Sequence, residues 1–351
     1  MTDVAEAVAP GPVYPFGDNT PAPGALVEVA PGLHWWRVPM SGPLKHVNGY
    51  LIDEPAGGVT VIDTGPNSQV SLDAWQALLA GPLADSRIAQ VLVTHMHPDH
   101  VGLAGWLCRH HDAPLLMTRA EWLYVRMLIA DRRDETPPEM IAFWRAAGWD
   151  DAQVAEGSKR GWGNFARLVA RLPLGFVRLQ DGDTLTIGQG RWQVVTGAGH
   201  SPEHACLLDH ERRVLIAGDQ VLPRISSNVS LTVSEPEGDP LGDWLASLAK
   251  LRRLPGDLLV LPGHGDPFYG LHHRLDELAA EHAERLHLLA DALTEPRRAV
   301  DCFAQLFRRP IEEPLMLGLA TGEALAHLRH LEVAGRAVRE VRGGVWWFRR
   351  A

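Results

Sequence analysis

The segment Thr94-His95-Met96-His97-Pro98-Asp99-His100 gathers three imidazoles and one carboxylate within six residues. Such density suits no ordinary core, because burying Asp99 without a cation would be costly. Histidine nitrogen and carboxylate oxygen are ligands that zinc takes and that iron and manganese also accept. Neighbours in a tight loop point to two sides, so one segment can serve two ions. His95 and His97 would then face one ion, and Asp99 and His100 the other. A closed structural zinc site is the competing explanation, but such sites stop at four ligands and usually contain cysteine. Here the candidates extend to His200, Asp219 and His264, with no cysteine among them.

The elements that must position these groups are legible as runs. LVEVA, LHWWRVPM, HVNGYLID and GGVTVIDTG are short apolar or alternating stretches broken by Gly, Pro and Asp, and they predict successive strands. Leu72, Trp75, Leu78 and Leu79 share one helical face, and IAQVLVTH follows as a buried strand, so the histidine-rich segment lies between a strand and a helix beginning near Gly102. Strand signals resume in FVRLQDGDTLTIGQGRWQVVTGAGH, ACLLDHERRVLIAGD and DLLVLPGHG. His200, Asp219 and His264 therefore each close a strand, where a rigid scaffold usually holds catalytic groups.

Two regions stand apart from this pattern. Residues 119–172 read as a helical insert rich in Trp, Met and Phe, which either packs as ordinary helices or forms an apolar lid over the site. After a long helical pattern from His272 to Leu293, TGEALAHLRHLEVAGR predicts an amphipathic helix and AVREVRGGVWWFRR a hairpin turning at Gly343-Gly344. Helix followed by ribbon suggests a winged-helix unit. The expected organisation is a mobile leader over 1–25, a large domain over 26–290 that carries the donor set and the helical insert, and a C-terminal domain over 291–351.

At 351 residues the chain can bury one large core and a smaller one. Its net charge of -10 argues against a dominant nucleic-acid footprint. The acidic, proline-rich start lacks the basic and apolar regions of a secretory signal, and no run approaches the ~18 apolar residues of a membrane span. Cys108, Cys206 and Cys302 have no paired spacing, which suits a reducing compartment. The expectation is a cytoplasmic protein without a membrane partner, its oligomeric state left open.

With these residues in order, the chain resembles the metallo-β-lactamase superfamily, whose fold is shared by glyoxalase II, many lactonases and several nucleases. The resemblance covers roughly residues 26–285. It rests on Asp63 in VIDTG, the four groups of THMHPDH, His200 in GAGHSPEH, Asp219 in IAGD and His264 in LPGHG. It implies an α/β fold, a four-layer αββα sandwich, here with the helical insert and the small C-terminal winged-helix domain. It also implies two divalent metal ions, zinc first, with iron or manganese as alternatives. His95, His97 and His200 would bind one ion, Asp99, His100 and His264 the other, and Asp219 would bridge them. Asp63 would support the first loop without ligating. A hydroxide bridging ions roughly 3.5–4 Å apart would be the nucleophile, and Asp99 would assist proton transfer to the leaving group. Glu203, beside His204, stands where lactonase and glyoxalase II relatives often carry glycine, so their specificity does not transfer directly.

From about residue 26 to its end the chain is similar to a subgroup that joins this hydrolase to a C-terminal winged helix. His282 and Arg285 of EHAERL fit loosely with an HRxxR-like pattern there. The subgroup includes thioester hydrolases of acyl carriers and an endoribonuclease of single-stranded RNA. The preferred expectation is hydrolysis of an ester or thioester on a small acyl substrate, with the insert as an acyl wall and Lys159 or Arg160 meeting a phosphate of a coenzyme A carrier. RNA is the alternative, read by Arg336, Arg339, Arg342, Arg349 and Arg350 with Trp346 and Trp347, although Glu323, Glu332 and Glu340 are interleaved. A ligand-responsive nucleic-acid binder ranks third.

Overall fold

The computed structural model describes residues 11–40, 44–159, 162–311 and 313–351. Seven strands form the first sheet in sequence order: β1 (Val27–Ala30), β2 (Leu33–Pro39), β3 (His46–Asp53), β4 (Val59–Ile62), β5 (Ile88–Leu92), β6 (Leu115–Thr118) and β7 (Val177–Leu179). Pairing is antiparallel up to β4 and parallel beyond it, because helical crossovers now return the chain to the same end. Those crossovers are α1 (Gln69–Ala80), then α2 (Pro98–Val101) with α3 (Ala104–His111), then the insert. The insert comprises α4 (Arg119–Ala130), α5 (Pro138–Ala147), α6 (Asp151–Ser158) and α7 (Phe165–Leu168). No sequence-based expectation falls on β6. Its four residues are all buried, so it lacks the alternation by which strands are recognised.

The second sheet contains β8 (Thr184–Ile187), β9 (Gly190–Gly197), β10 (His204–Asp209), β11 (Val214–Gly218) and β12 (Leu259–Pro262), in the order β12-β11-β10-β9-β8. Strand alternation sorts neighbouring side chains into different layers. Trp35 joins Tyr50, Trp192, Leu207 and Ile216 between the sheets. Its neighbour Trp36 faces outward with Val61 and Val91 against Trp75 of α1 and Leu107 of α3. On the far side Val195, Leu208 and Val260 lie beneath Trp244 of α8 (Pro240–Leu251) and Leu275 of α9 (Leu271–Ala292). The result is the expected αββα order of layers.

Beyond α9 come α10 (Phe303–Leu306), α11 (Pro314–Val333) and the hairpin β13 (Ala337–Arg342) with β14 (Val345–Arg350). Gly343 and Gly344 both take positive φ, 58° and 81°, as a two-residue hairpin turn requires. α9 runs through residue 290, and one apolar cluster joins α8, α9, α11, Ala337 and Phe348. Two expectations change in this region. α11 is not a surface amphipath, since Ala320, Thr321, Leu331 and every residue from Ala324 to Leu328 are buried. The polar groups of this stretch, Glu323, His327, Arg329 and His330, are paired with Arg285, His282, Glu332 and Asp239. The described part of the leader, residues 11–25, packs on the body because its aromatic residues find apolar cover. Val13 bridges to Tyr269, and the rings of Tyr14 and Phe16 meet Phe268 and Trp35 at 6.5 and 6.4 Å.

Between α9 and α11, His327 Nδ1–H donates to the Glu323 carbonyl at 2.8 Å, so its Nε2 accepts from His282 Nδ1 at 3.2 Å. Burial pushes His282 down to about 3 and His327 to about 4. In the unfolded chain both titrate near ~6.5, so between ~6.5 and these lower values the unfolded state binds more protons than the folded one. Stability is therefore retained above ~6.5 and falls as the pH drops below it. The urea midpoint of the wild type should decline from pH 7 to pH 5, and His327→Gln should flatten that decline by up to about 1.4 kcal/mol per pH unit. A second expectation concerns the shared cluster. Leu328→Ala should cost about 2–5 kcal/mol in one cooperative unfolding transition, whereas separate transitions would mark the C-terminal unit as folding alone.

Candidate metal centre

Five strand ends converge at one edge of the sandwich. The turn after β4 places Asp63 in the left-handed region at φ 59°, a conformation that Asp tolerates better than most residues. From there its buried carboxylate reaches into the next loop. Oδ1 accepts the Thr94 backbone N–H at 2.8 Å, and Oδ2 accepts the Thr94 hydroxyl and His100 Nδ1–H, each at 2.8 Å. Since the Thr94 hydroxyl donates to Asp63, it can only accept from His95 Nδ1, 3.0 Å away. His200 Nδ1–H donates to the Asn228 carbonyl at 2.8 Å, and His264 Nδ1–H to the His46 carbonyl at 2.6 Å. All four imidazoles thus carry their proton on the outer nitrogen and turn Nε2 inward.

The inward atoms form two overlapping groups. His97 Nδ1 lies 2.9 Å from His95 Nε2 and 3.0 Å from His200 Nε2. One proton on His97 can serve only one of these contacts, so lone pairs are left facing one another. Asp219 stands between the groups: Oδ1 is 3.3 Å from His100 Nε2, while Oδ2 is 3.5 Å from His200 Nε2 and 3.4 Å from His264 Nε2. Asp99 Oδ2 is 3.1 Å from His264 Nε2 and 3.6 Å from His100 Nε2. His100 Nε2, His264 Nε2 and Asp219 Oδ1 are buried without any hydrogen-bond partner. Among the described residues, His95/His97/His200, His95/His100/Asp219 and Asp99/His100/His264 each bring ligand atoms within 4.8 Å of one another. Gly263 completes the cradle, for a Cβ there would lie 2.2 Å from Asp219 Oδ1 and 2.6 Å from His100 Cε1.

Electrostatics divides the site. Burial, aided by neighbouring imidazoles, pushes His97 down to about 3 and His95 well below the ordinary histidine value. They present neutral lone pairs, the form in which histidine binds metal. On the other side burial opposes the charges, but His100 and His264 outweigh it and hold Asp99 down to about 2. Burial likewise opposes a charged His264, yet Asp219 drives it up to about 10. Two buried carboxylates demand positive charge, and divalent cations meet that demand better than shared protons because they also bind the orphaned nitrogens.

All of the predicted site residues, His95, His97, Asp99, His100, His200, Asp219, His264 and the supporting Asp63, come together. Several other groups behind them were not foreseen. Glu121 of α4, fully buried, accepts from Met96 N (2.8 Å), Ser201 Oγ (2.7 Å) and Glu203 N (2.7 Å), and so ties the first histidine loop to the loop of His200. Burial raises its carboxyl to about 7. Its only sequence signal was a carboxylate on the same helical stripe as buried Val125. Glu203 caps α4, its carboxylate accepting the Ala120 N–H at 3.0 Å. His204 is no ligand: its Nε2 accepts the Asp219 backbone N–H at 3.1 Å.

Other expected contacts are not made at the centre. Lys159 is exposed and pairs with Glu156 at 2.5 Å, and Arg160 lies outside the described residues. His282 is packed against His327, and Arg285 pairs with Glu323 at 3.2 Å.

A sequence model described as the metallo-beta-lactamase superfamily matches residues 42–264. The chain belongs to this superfamily and is a metallo-hydrolase. A second model, the metallo-beta-lactamase-like C-terminal domain, matches residues 286–351. A beta-lactamase domain protein from Burkholderia ambifaria has a similar crystal structure, with TM-score 0.89 and 39% identity over 97% of this chain and 98% of that one. The probable metallo-hydrolase YqjP of Bacillus subtilis is 26% identical over 84% of this chain and 91% of its own length. The acyl-coenzyme A thioesterase MBLAC2 of Gallus gallus is 28% identical over 70% of this chain and 81% of its own.

Glu121→Gln should put an amide N–H against one of the three donors and loosen the two loops. The expected outcome is a 10–100-fold loss of metal affinity, read by metal analysis after dialysis against graded chelator, with the far-ultraviolet circular dichroism unchanged.

Proposed function

We propose that this metallo-hydrolase cleaves an ester or thioester of an acyl group held on a small carrier. The observation that carries the reading is the pairing of an inward-facing donor set with an apolar wall: Met96, between His95 and His97, lines a cavity otherwise built from the insert, the segment 230–234 and α11. The similarity to an acyl-coenzyme A thioesterase supports the same substrate class.

In this reading His95, His97 and His200 would hold one divalent ion, Asp99, His100 and His264 would hold the second, and Asp219 would serve both. Zinc is the first choice for this set of nitrogen and oxygen donors, with iron or manganese as alternatives. When bound, such a pair supplies an acidified bridging water and polarises the attacked carbonyl. The chain's own groups do the rest. Asp63, Thr94 and the carbonyls of Asn228 and His46 hold the imidazoles in one tautomer, so that no Nε2 turns away. Asp99, partly accessible at the rim, is placed to take a proton and pass it to the departing thiol or alcohol. The insert and α11 keep water away from the acyl side.

RNA hydrolysis has less to rest on. Arg339 pairs with Glu237 and Glu332, and Arg342 and Arg349 both pair with Glu340. Trp346 is used against Phe143, ring to ring at 5.8 Å. Arg339 and Trp346 tie the ribbon to the body, while Arg342 and Arg349 are held within the ribbon by Glu340.

A panel on metal-quantified protein tests the reading: acyl-coenzyme A, hydroxyacyl-glutathione, a lactone, bis-nitrophenyl phosphate and single-stranded RNA. Thioesters or esters should be turned over well above the phosphodiesters, and His97→Ala or chelation should reduce turnover to background, with metal readdition restoring only the wild type. Metal-independent turnover, or a preference for phosphodiesters, would overturn it.

A further inference from the structure

We infer that the cavity beside the centre receives a straight acyl chain of medium to long length, and that α11 of the C-terminal unit is part of this substrate pocket. The inference rests on the acyl-hydrolase reading above and specifies its substrate. The cavity measures about 440 Å³, within the ~300–1,000 Å³ range of pockets that enclose whole small ligands. A two- or three-carbon hydroxyacyl group would leave most of it empty.

Its chemistry narrows the occupant further. None of the described residues lining it is charged, so it offers no partner to a phosphate or to the carboxylates of a peptide-like carrier. Its hydroxyl groups already have partners. Ser230 Oγ donates to Asn228 Oδ1 at 2.6 Å, Thr232 and Ser234 meet at 2.9 Å, Tyr124 meets Ser234, and Thr321 Oγ accepts from Trp149 Nε1 at 2.9 Å. What remains is apolar surface from Met127, Leu128, Met140, Phe143 and Trp144. Methionine side chains adapt their shape to a flexible chain.

Position completes the argument. The inner end of the cavity is Met96, whose neighbours are His95 and His97, and Ser230 is bonded to the residue whose carbonyl holds His200. At the outer side Met127 of α4 and Leu319 of α11 are exposed to 43% and 41%. A chain whose carbonyl sits at the centre would run between the insert and α11. This gives the C-terminal unit a role in binding substrate.

Gly318 makes the test specific. It lines the cavity, and a Cβ added there would meet nothing within 4 Å among the described residues, so Gly318→Leu adds its side chain at an open point of the lining and favours the helix. On metal-loaded wild-type enzyme, kcat/KM for saturated acyl thioesters from two to sixteen carbons should rise about fourfold per methylene until the cavity is filled, then level off. Gly318→Leu should lower the value for chains of ten or more carbons at least tenfold relative to the value for acetyl, with metal content unchanged. Calorimetry with dodecanoate provides a readout apart from turnover: binding to the wild type, weakened at least tenfold in the variant.

Flat chain-length dependence with short acyl substrates cleaved, or no dodecanoate binding, overturns the pocket assignment. A change of sedimentation coefficient in Gly318→Leu would mean that a second copy covers this face, and overturns it as well. If no acyl substrate is cleaved while dodecanoate binds the wild type and not the variant, the hydrolase reading fails and the pocket assignment stands.

Discussion

Asp63 accepts three hydrogen bonds from a buried position, and the direction of the whole centre follows from them. By taking His100 Nδ1–H and the Thr94 hydroxyl proton, it leaves Thr94 able only to accept from His95. Two backbone carbonyls do the same for His200 and His264. Each imidazole is thereby held in the tautomer that points its lone pair at the others. Nothing among the described residues satisfies the inner nitrogens of His100 and His264 or the inner oxygen of Asp219. An arrangement so costly in hydrogen bonds persists because the strand ends of two sheets, pinned by the core between them, cannot retreat. Cations reconcile the parts.

The insert and the C-terminal unit are built into this arrangement rather than appended to it. Glu121 links α4 to both histidine loops, and Glu203 returns the link by capping the same helix. From the other side, Asn228 holds His200 through its carbonyl and donates its side-chain N–H to Glu323 of α11 at 3.3 Å, which in turn pairs with Arg285 of α9. The two elements that wall the apolar cavity are therefore the two that brace the ligands. Displacing either wall would be felt at the centre, because these contacts run directly to the loops that carry the histidines. The structure from Burkholderia ambifaria matches across nearly the whole length, so the C-terminal unit belongs to that architecture as well.

The limits of pattern reading show in the same elements. TGEALAHLRHLEVAGR has the spacing of an amphipathic helix, yet α11 is buried from Ala324 to Leu328, and its polar positions are paired, Glu323 with Arg285, His327 with His282 and His330 with Asp239. The ribbon's arginines look like a nucleic-acid surface until their distances to Glu237, Glu332 and Glu340 are known. Charge counts along a chain cannot separate a free cation from a paired one, since pairing depends on geometry, and Glu237, which Arg339 meets, lies 102 residues away in the chain.

What the sequence determined by itself was the donor set and its scaffold. His95, His97, Asp99 and His100 crowd one loop, and His200, Asp219 and His264 each end an apolar run, so residue type and strand periodicity sufficed to foresee the donor set and the strands that present it, while the αββα layers followed from the family resemblance those residues carry. These are local signals: a strand end is visible in the residues that make it. Tertiary structure alone decided which nitrogen of each histidine faces inward, that a carboxylate on an insert helix clamps two loops, and that a C-terminal helix walls a cavity beside Met96. Each of these depends on atoms brought together from distant parts of the chain, and hydrogen-bond direction and enclosed volume have no counterpart in a linear pattern.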